Sequence, residues 1–222
     1  MKELEEILDL VEVLKSENKN KEIIELISDD VLEKYKDFRL YDLKSYAYSE
    51  SEDYLKSNEL LEKALEIEPN SYYRYELLGN NYRSLKSYDK AIESFSKFIE
   101  FNPDDPYAFA RLGLSYDDIG NKEKAIEAFN RAIELDSEDP FYYNRVGLLH
   151  FEQGELKKSV KFYEKSIKFD PKYKYAYFNL GNVYSELDEN EKALKAYEKS
   201  IESVEDWDEN LLDFVKSKIL DL

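Results

Sequence analysis

The sequence contains no cysteine and only one histidine among its 222 residues. The missing cysteines exclude disulfides, thiolate metal sites and cysteine nucleophiles. Six glycines are too few and too dispersed for a phosphate-cradling loop, and neither a P-loop nor a GxGxxG motif occurs. No apolar run approaches the roughly 20 residues that span a bilayer, and Met1–Lys15 lacks the apolar core and cleavage site of a secretory leader. We therefore expect a cytoplasmic protein.

Positive charge is also scarce, because 32 Lys and Arg residues face 50 Asp and Glu residues and leave a net charge of −18. A surface of that sign repels the phosphates of nucleic acids and anionic lipids. We expect no nucleic-acid partner and no membrane partner. Charged residues make up 37% of the chain and hydrophobic residues 42%, a balance typical of short amphipathic helices with solvated outer faces.

Apolar residues recur at a fixed spacing of 34 residues, which indicates a repeat protein. Within residues 106–139, Gly120 and Asn121 predict a turn between two helices. The first of these helices has its apolar face at Phe109, Leu112 and Tyr116. The second has its apolar face at Ala125, Phe129 and Ala132. The pattern starts six times without insertion or deletion, at Leu4, Phe38, Tyr72, Pro106, Pro140 and Lys174.

Two positions of this repeat are the most regular. The eighth position is glycine in repeats three to six, at Gly79, Gly113, Gly147 and Gly181. The twenty-fourth is aromatic, at Phe95, Phe129, Tyr163 and Tyr197. In this spacing and these residues the chain resembles the tetratricopeptide repeat (TPR) family, where a small eighth residue lets the second helix approach the first. The resemblance implies an all-α, right-handed α-solenoid of tandem helix-turn-helix repeats.

The register predicts one solenoid over residues 1–222. Its parts are a degenerate first repeat (4–37), a divergent second repeat (38–71), clear repeats (72–105, 106–139, 140–173, 174–207) and a capping helix (208–222). The second repeat is divergent because it has Lys44, Ser45 and Ser57 where the family has Leu, Gly and Ala. Phe98 is the one bulky residue at position twenty-seven among repeats three to six. The capping helix would cover the last apolar face with Leu211, Phe214 and Val215, after Trp207.

The resemblance also implies a function, because TPR proteins bind protein or peptide partners in a concave groove lined by first-helix positions two, five, six, nine, twelve and thirteen. Position two carries an aromatic ladder, Tyr73, Tyr107, Phe141 and Tyr175, which either contacts a partner or is partly buried between neighbouring first helices. Polar candidates that can bond a peptide backbone or a carboxylate are Asn80, Arg83, Arg111, Asn144, Arg145, Asn179 and Asn182. Asparagine at position six or nine resembles the asparagine ladders of peptide-binding members, although Asn144 falls at position five.

One well-known ligand mode of the family is a carboxylate clamp for the acidic tails of heat-shock chaperones. Read from repeat three, this chain offers Glu76, Asn80, Arg111, Phe141 and Arg145 at the clamp positions, so both lysines of the clamp are absent. Chaperone tails are therefore not expected as ligands. A single carboxylate position between Arg111 and Arg145 stays open.

No residue pattern predicts catalysis, a cofactor or a metal site. His150 lies at position eleven, where other repeats have tyrosine, and no carboxylate occurs at an obligatory spacing from it, so a packing role is expected. The paired acids, such as Asp117 and Asp118, are expected to be helix caps or solvated residues. We expect a non-catalytic adaptor that holds a peptide or helical segment. The alternative is an assembly protein that forms a homodimer through a second apolar stripe on the capping helix, Leu212, Ile219 and Leu222, for which no intrachain partner is expected.

Overall fold

The computed structural model describes residues 2–202 and 209–220. Fourteen α-helices and no strand occur in these ranges. The helices are α1 Lys2–Ser16, α2 Asn20–Leu26, α3 Asp29–Tyr35, α4 Phe38–Glu50, α5 Tyr54–Ile67, α6 Tyr72–Ser84, α7 Tyr88–Phe101, α8 Pro106–Asp118, α9 Lys122–Leu135, α10 Pro140–Glu152, α11 Leu156–Phe169, α12 Lys174–Glu186, α13 Asn190–Glu202 and α14 Glu209–Leu220. The fold is all-α, as the periodicity predicts, and its hairpins stack in the manner of an α-solenoid.

The first helix of each of repeats two to six begins at the first position of the 34-residue pattern. Local sequence explains these starts, because the side chains of Asp37, Asp105 and Asp139 accept hydrogen bonds from the backbone two residues later. Pro106 and Pro140 follow two of these caps at the first helical position, where a missing N–H is harmless.

The chain divides into two compact units, Met1–Asp104 and Asp105–Leu222. Unit 1 contains α1 to α7, and unit 2 contains α8 to α14. The division falls next to the predicted boundary between the third and fourth repeats. The single array therefore remains a prediction, and each unit is described by itself below.

Within each hairpin of repeats three to six, the aromatic ring of the second helix lies against the glycine of the first. The four rings are at most 1% exposed. A Cβ atom added to Gly79 would lie 2.6 Å from the Phe95 ring, and one added to Gly181 would lie 2.6 Å from the Tyr197 ring. Real Cβ atoms do not approach an aromatic ring so closely. Only glycine therefore allows α6 to pack at this distance from α7, and α12 at this distance from α13.

The first repeat differs from the others in its second helix, which is divided into α2 and α3. Ser28 lies between them and accepts a hydrogen bond from the Val31 N–H at 3.4 Å. Asp29 and Asp30 follow in the first turn of α3, where carboxylates favour the positive end of a new helix dipole. The sequence therefore restarts the helix at Ser28.

Helix α14 covers the last hairpin of unit 2, as predicted. Val215 is fully buried in a cluster with Ala193 and Tyr197, and the Phe214 ring centroid lies 5.9 Å from that of Phe178. Ile219 packs against the same cluster, so the expectation that it lacks an intrachain partner was wrong. It faces the cluster because it lies one helical turn beyond Val215. Trp207, Leu222 and the Leu211 side chain lie outside the described residues.

Two side chains that depart from the repeat pattern are buried by specific contacts in unit 1. Phe98 is 1% exposed and stacks on Tyr72 with ring centroids 5.8 Å apart. Arg74 is also 1% exposed, and its guanidinium group binds both carboxylate oxygens of Asp42 at 2.8 and 2.9 Å and Glu68 Oε2 at 2.9 Å. A buried guanidinium needs such carboxylate partners, because an unpaired buried charge is strongly destabilising.

Candidate peptide-binding surface

Helix caps place two rings of the aromatic ladder at the start of first helices. Asp105 Oδ1 accepts a hydrogen bond from the Tyr107 N–H at 2.9 Å, and Asp139 Oδ1 accepts one from the Phe141 N–H at 2.8 Å. The order Asp, Pro, aromatic therefore fixes these two rings at the second residue of their helices. The helices that carry Tyr73 and Tyr175 begin without a side-chain cap, at the same position of the repeat.

Three of the four ladder rings are exposed. Tyr73 in unit 1 is 46% exposed, and Tyr107 and Tyr175 in unit 2 are 36% and 47% exposed. Phe141 is half-buried, because it makes edge contacts with the Phe129 and Tyr142 rings at 6.3 and 5.9 Å. The ladder thus contains accessible rings in both units, and Phe141 is the one ring that partly fills a packing role.

The remaining unit 1 candidates are Asn80 and Arg83, both half-buried on α6. Asn81, which the sequence pattern did not single out, is more deeply buried. Its side-chain amide donates to Ser57 Oγ at 2.9 Å and to Asn58 Oδ1 at 2.8 Å, so it connects α6 to α5. Asn81 at position ten therefore has a structural role, in contrast to the neighbouring Asn80 at position nine.

In unit 2 the two candidate arginines have different surroundings. The Arg111 guanidinium stacks on the Tyr107 ring, 4.5 Å from its centroid. Arg145 on α10 forms an ion pair with Asp117 on α8. Burial raises the pKa of Asp117 and outweighs the opposite effect of Arg145, while Glu152 and Asp118 add to the rise.

Both arginines retain hydrogen-bonding capacity. The Nε atoms of Arg111 and Arg145 are buried, and neither has a hydrogen-bond partner within the described residues. A buried N–H donor without a partner costs free energy, so any acceptor from a ligand would bond the other N–H groups of these guanidiniums. Arg111 contacts Tyr107 and Arg145 pairs with Asp117, so a carboxylate position between the two arginines stays a prediction.

The asparagine candidates of unit 2 make contacts within the chain. Asn144 is 6% exposed and its Oδ1 accepts a hydrogen bond from Asn179 Nδ2 at 3.0 Å, which connects α10 and α12. Asn182 Oδ1 accepts a hydrogen bond from the Tyr197 hydroxyl at 2.8 Å. Asn179 and Asn182 are half-buried, in contrast to the buried Asn144.

His150 has the expected packing role and one unexpected partner. Its ring stacks on Phe162 with centroids 5.3 Å apart, and its Nδ1 lies 2.6 Å from Glu155 Oε2. The repeat spacing did not indicate this carboxylate, which reaches His150 because the left-handed turn at Gly154 (φ +74°) returns Glu155 to the end of α10. Lys158 and His150 both lower the pKa of Glu155.

Among the described residues, no group of three or more His, Cys, Asp or Glu side chains is arranged to hold a metal ion. The described helices also include none that combines the length and apolar character needed to cross a membrane.

Known proteins support the interpretation of the repeats. A TPR repeat model matches residues 79–120 and 147–188, and two tetratricopeptide repeat models match residues 106–139 and 175–203 and residues 38–71. Together these matches cover more than half of the chain. No curated protein matches it in sequence.

Solved structures share the fold. The crystal structure of MamA is 28% identical, with a TM-score of 0.67 over 72% of this chain and 93% of MamA. MamA from Desulfovibrio magneticus RS-1 is 20% identical, with a TM-score of 0.70 over 76% of this chain and 96% of that one. YrrB, described as a TPR protein with an unusual peptide-binding site, is 24% identical, with a TM-score of 0.63 over 80% of this chain and 92% of its own. The repeat models, the helix boundaries and these folds agree, and the chain belongs to the tetratricopeptide repeat family.

Proposed function

We propose that the chain is a non-catalytic adaptor whose first helices in unit 2 bind a peptide or helical segment of another protein. Membership in the TPR family supports the general part of this proposal, because such proteins are interaction and scaffold modules. The observation that carries the specific part is the exposure of Tyr107 and Tyr175, two large rings on first helices. Exposed aromatic rings are enriched where proteins bind each other.

The polar groups near these rings support a peptide ligand. Arg111 stacks on Tyr107 and is half-buried. Its guanidinium group can donate to a peptide carbonyl or carboxylate, while a side chain of the partner covers the ring. We refer to Tyr107, Arg111 and Tyr175 as the inner-face triad.

The test is a pull-down from the native source with the purified chain, in which bound proteins are identified by mass spectrometry. The triad variant combines Tyr107→Ala, Arg111→Ala and Tyr175→Ala. Arg145 is left intact, since its removal would leave Asp117 without its ion-pair partner. The matched control is Ile67→Ala with Ile119→Ala, two apolar side chains that are 43% and 44% exposed at other places.

A partner that the control retains and the triad variant loses would support the adaptor function and identify the process. If every partner also bound the triad variant, the proposal would be overturned.

The second candidate function is self-association through α14, where Phe214 is 48% exposed and Leu220 is 86% exposed. Light scattering on the same preparation tests it, with Leu220→Ser as the variant. A dimer that Leu220→Ser dissociates would favour assembly, whereas a strict monomer at high concentration would exclude it.

A further inference from the structure

Helix α11 has a charge pattern that distinguishes it from the other second helices of repeats two to six. At position twenty-nine, α5, α7, α9 and α13 have glutamate, and α11 has Lys168. At position twenty-two, α5, α7 and α9 have glutamate, whereas α11 has Lys161 and α13 has Lys195. At position eighteen, α7, α9 and α13 have an acid, and α11 has Lys157. Lysine thus replaces an acid at three equivalent positions of one helix.

These replacements remove a stabilising ion pair. In α7, α9 and α13 the basic residue at position twenty-six pairs with the glutamate three residues later, as Lys97 does with Glu100 at 2.8 Å and Lys199 does with Glu202 at 2.7 Å. In α11 the same two positions are Lys165 and Lys168. Like charges at this spacing destabilise a helix by about as much as opposite charges stabilise it. Folding alone therefore does not account for this pattern.

The lysines lie on one exposed face of α11, with Glu164 as the one acid among them. Lys157, Lys161, Lys165 and Lys168 are spaced four, four and three residues apart, so they lie on one face of α11 over about 16 Å. We call these four residues the lysine stripe. Within the part of the chain that the structure describes, none of the four lies in an ion pair.

Aromatic rings accompany the stripe. Lys165 Nζ lies 5.5 Å from the ring centroid of Tyr143 and 5.6 Å from that of Phe162. Lys168 Nζ lies 5.8 Å from the ring centroid of Phe169, which is 36% exposed. These contacts hold the ammonium groups on the surface without neutralising them.

We infer that the lysine stripe binds a short acidic segment of a partner protein. Its length matches a few acidic residues of an extended segment. A longer polyanion, such as a nucleic acid or a bilayer, would extend beyond the stripe onto a chain whose net charge is −18. The stripe lies on a second helix, whereas the inner-face triad lies on first helices, so this inference does not rest on the proposed function.

The test uses a fluorescent peptide of about six glutamates, long enough in extended form to span the stripe. Its affinity is measured by fluorescence anisotropy at low ionic strength. The stripe variant combines Lys157→Glu, Lys161→Glu and Lys168→Glu, and so introduces acids that equivalent positions of other repeats already carry. The control combines Lys192→Glu, Lys195→Glu and Lys199→Glu on α13, which changes the net charge by the same amount.

We expect the stripe variant to lose affinity by about tenfold or more and the control by less than about twofold, because only the stripe would contact the peptide. The triad variant should bind the peptide normally. Equal losses in the two charge variants, or no binding by the unmodified chain, would overturn the inference. It would also be overturned if anionic vesicles or an oligonucleotide bound the stripe more tightly than the peptide.

Discussion

At position fifteen of each repeat the backbone adopts the left-handed conformation, with φ between 56° and 77°. The six residues are Asn18, Glu52, Lys86, Gly120, Gly154 and Asp188. Only Gly120 and Gly154 lack the Cβ atom that makes this conformation unfavourable. The geometry of the hairpin therefore determines this conformation, and four side chains adopt it at a cost of about 1–2 kcal/mol each.

Lys86→Gly should raise the free energy of unfolding by about 0.5–1 kcal/mol, because the strain removed exceeds the entropy that glycine adds to the unfolded chain. Gly120→Ala should lower it by a similar amount, since nothing lies within 4 Å of the added Cβ and only the backbone is affected. Urea denaturation measures both. As a control, Glu127→Gly at an exposed position within α9 should lower the free energy of unfolding. If Lys86→Gly lowered it by as much, the strain argument would be contradicted.

At the scale of the hairpin, the residues at positions eight and twenty-four have complementary sizes. Repeats three to six combine glycine with an aromatic ring, repeat two combines Ser45 with Leu61, and repeat one combines Val11 with Ile27. These four aliphatic and serine side chains are all fully buried. Where the first-helix residue is larger than glycine, the second-helix residue is aliphatic instead of aromatic, which keeps the interior filled without overpacking.

Gly79→Ala should lower the free energy of unfolding by about 1–2 kcal/mol, because its Cβ would lie 2.6 Å from the Phe95 ring. Gly113→Ala should change the free energy of unfolding by less than about 0.5 kcal/mol. Its Cβ would lie 3.0 Å from the Phe129 ring, which needs only a small shift, and alanine stabilises a helix by about 0.5–1 kcal/mol relative to glycine. Gly113→Leu should cost about 1–3 kcal/mol. Thermal and urea denaturation decide the order, and equal losses for the two alanine variants would contradict this packing argument.

The helices could be predicted from sequence because their determinants are local and periodic. Asp139 and Pro140 define a helix start by themselves, and Gly147 with Tyr163 defines a hairpin. The division of α2 from α3 was not predicted, although Ser28 followed by two aspartates was a readable cap signal. An N-cap within an apolar pattern is easily taken for a helical residue when only the repeat spacing is considered.

At the scale of the whole molecule, many tyrosine hydroxyls are partly or wholly removed from water. Burial raises the pKa of Tyr82, Tyr142 and Tyr173 to about 12. Nearby carboxylates contribute in the same direction, such as Asp139 beside both Tyr142 and Tyr173. Each of these hydroxyls therefore remains neutral in the folded chain at a pH where it ionises in the unfolded chain.

Because the folded pKa of these groups is raised above the unfolded value of about 10, their contribution to stability is complete below pH 10. It should decrease as the pH rises from about 10 to 12, so the urea midpoint should fall in that range. Tyr142→Phe should reduce the loss of unfolding free energy between about pH 10 and 12 by an amount on the order of 1–2 kcal/mol. Urea titrations at a series of pH values, with phenolate absorbance recorded in parallel, test this expectation. A midpoint that did not change up to pH 12 would contradict it.

The candidate surface was predictable in its position but not in its pairings. The repeat register places Tyr107, Arg111 and Tyr175 on first helices, whereas exposure varies among equivalent positions, since Phe141 is half-buried. The ion pair of Arg145 with Asp117 and the amide contact of Asn144 with Asn179 join residues on different helices. Such contacts depend on rotamers and helix separation, which a repeat pattern does not encode. The net charge of the whole chain likewise does not indicate the lysine stripe of α11, because acids elsewhere outnumber its lysines.

The left-handed turns have a further consequence for engineering. All six residues at position fifteen are exposed, and each lies between two helices that pack mainly through their buried faces. Exposed turns of this kind are the places where a chain best tolerates inserted segments. A reporter peptide or a small domain could therefore be grafted at Lys86 or Gly120, and the repeat would offer equivalent attachment points at intervals of 34 residues along the sequence.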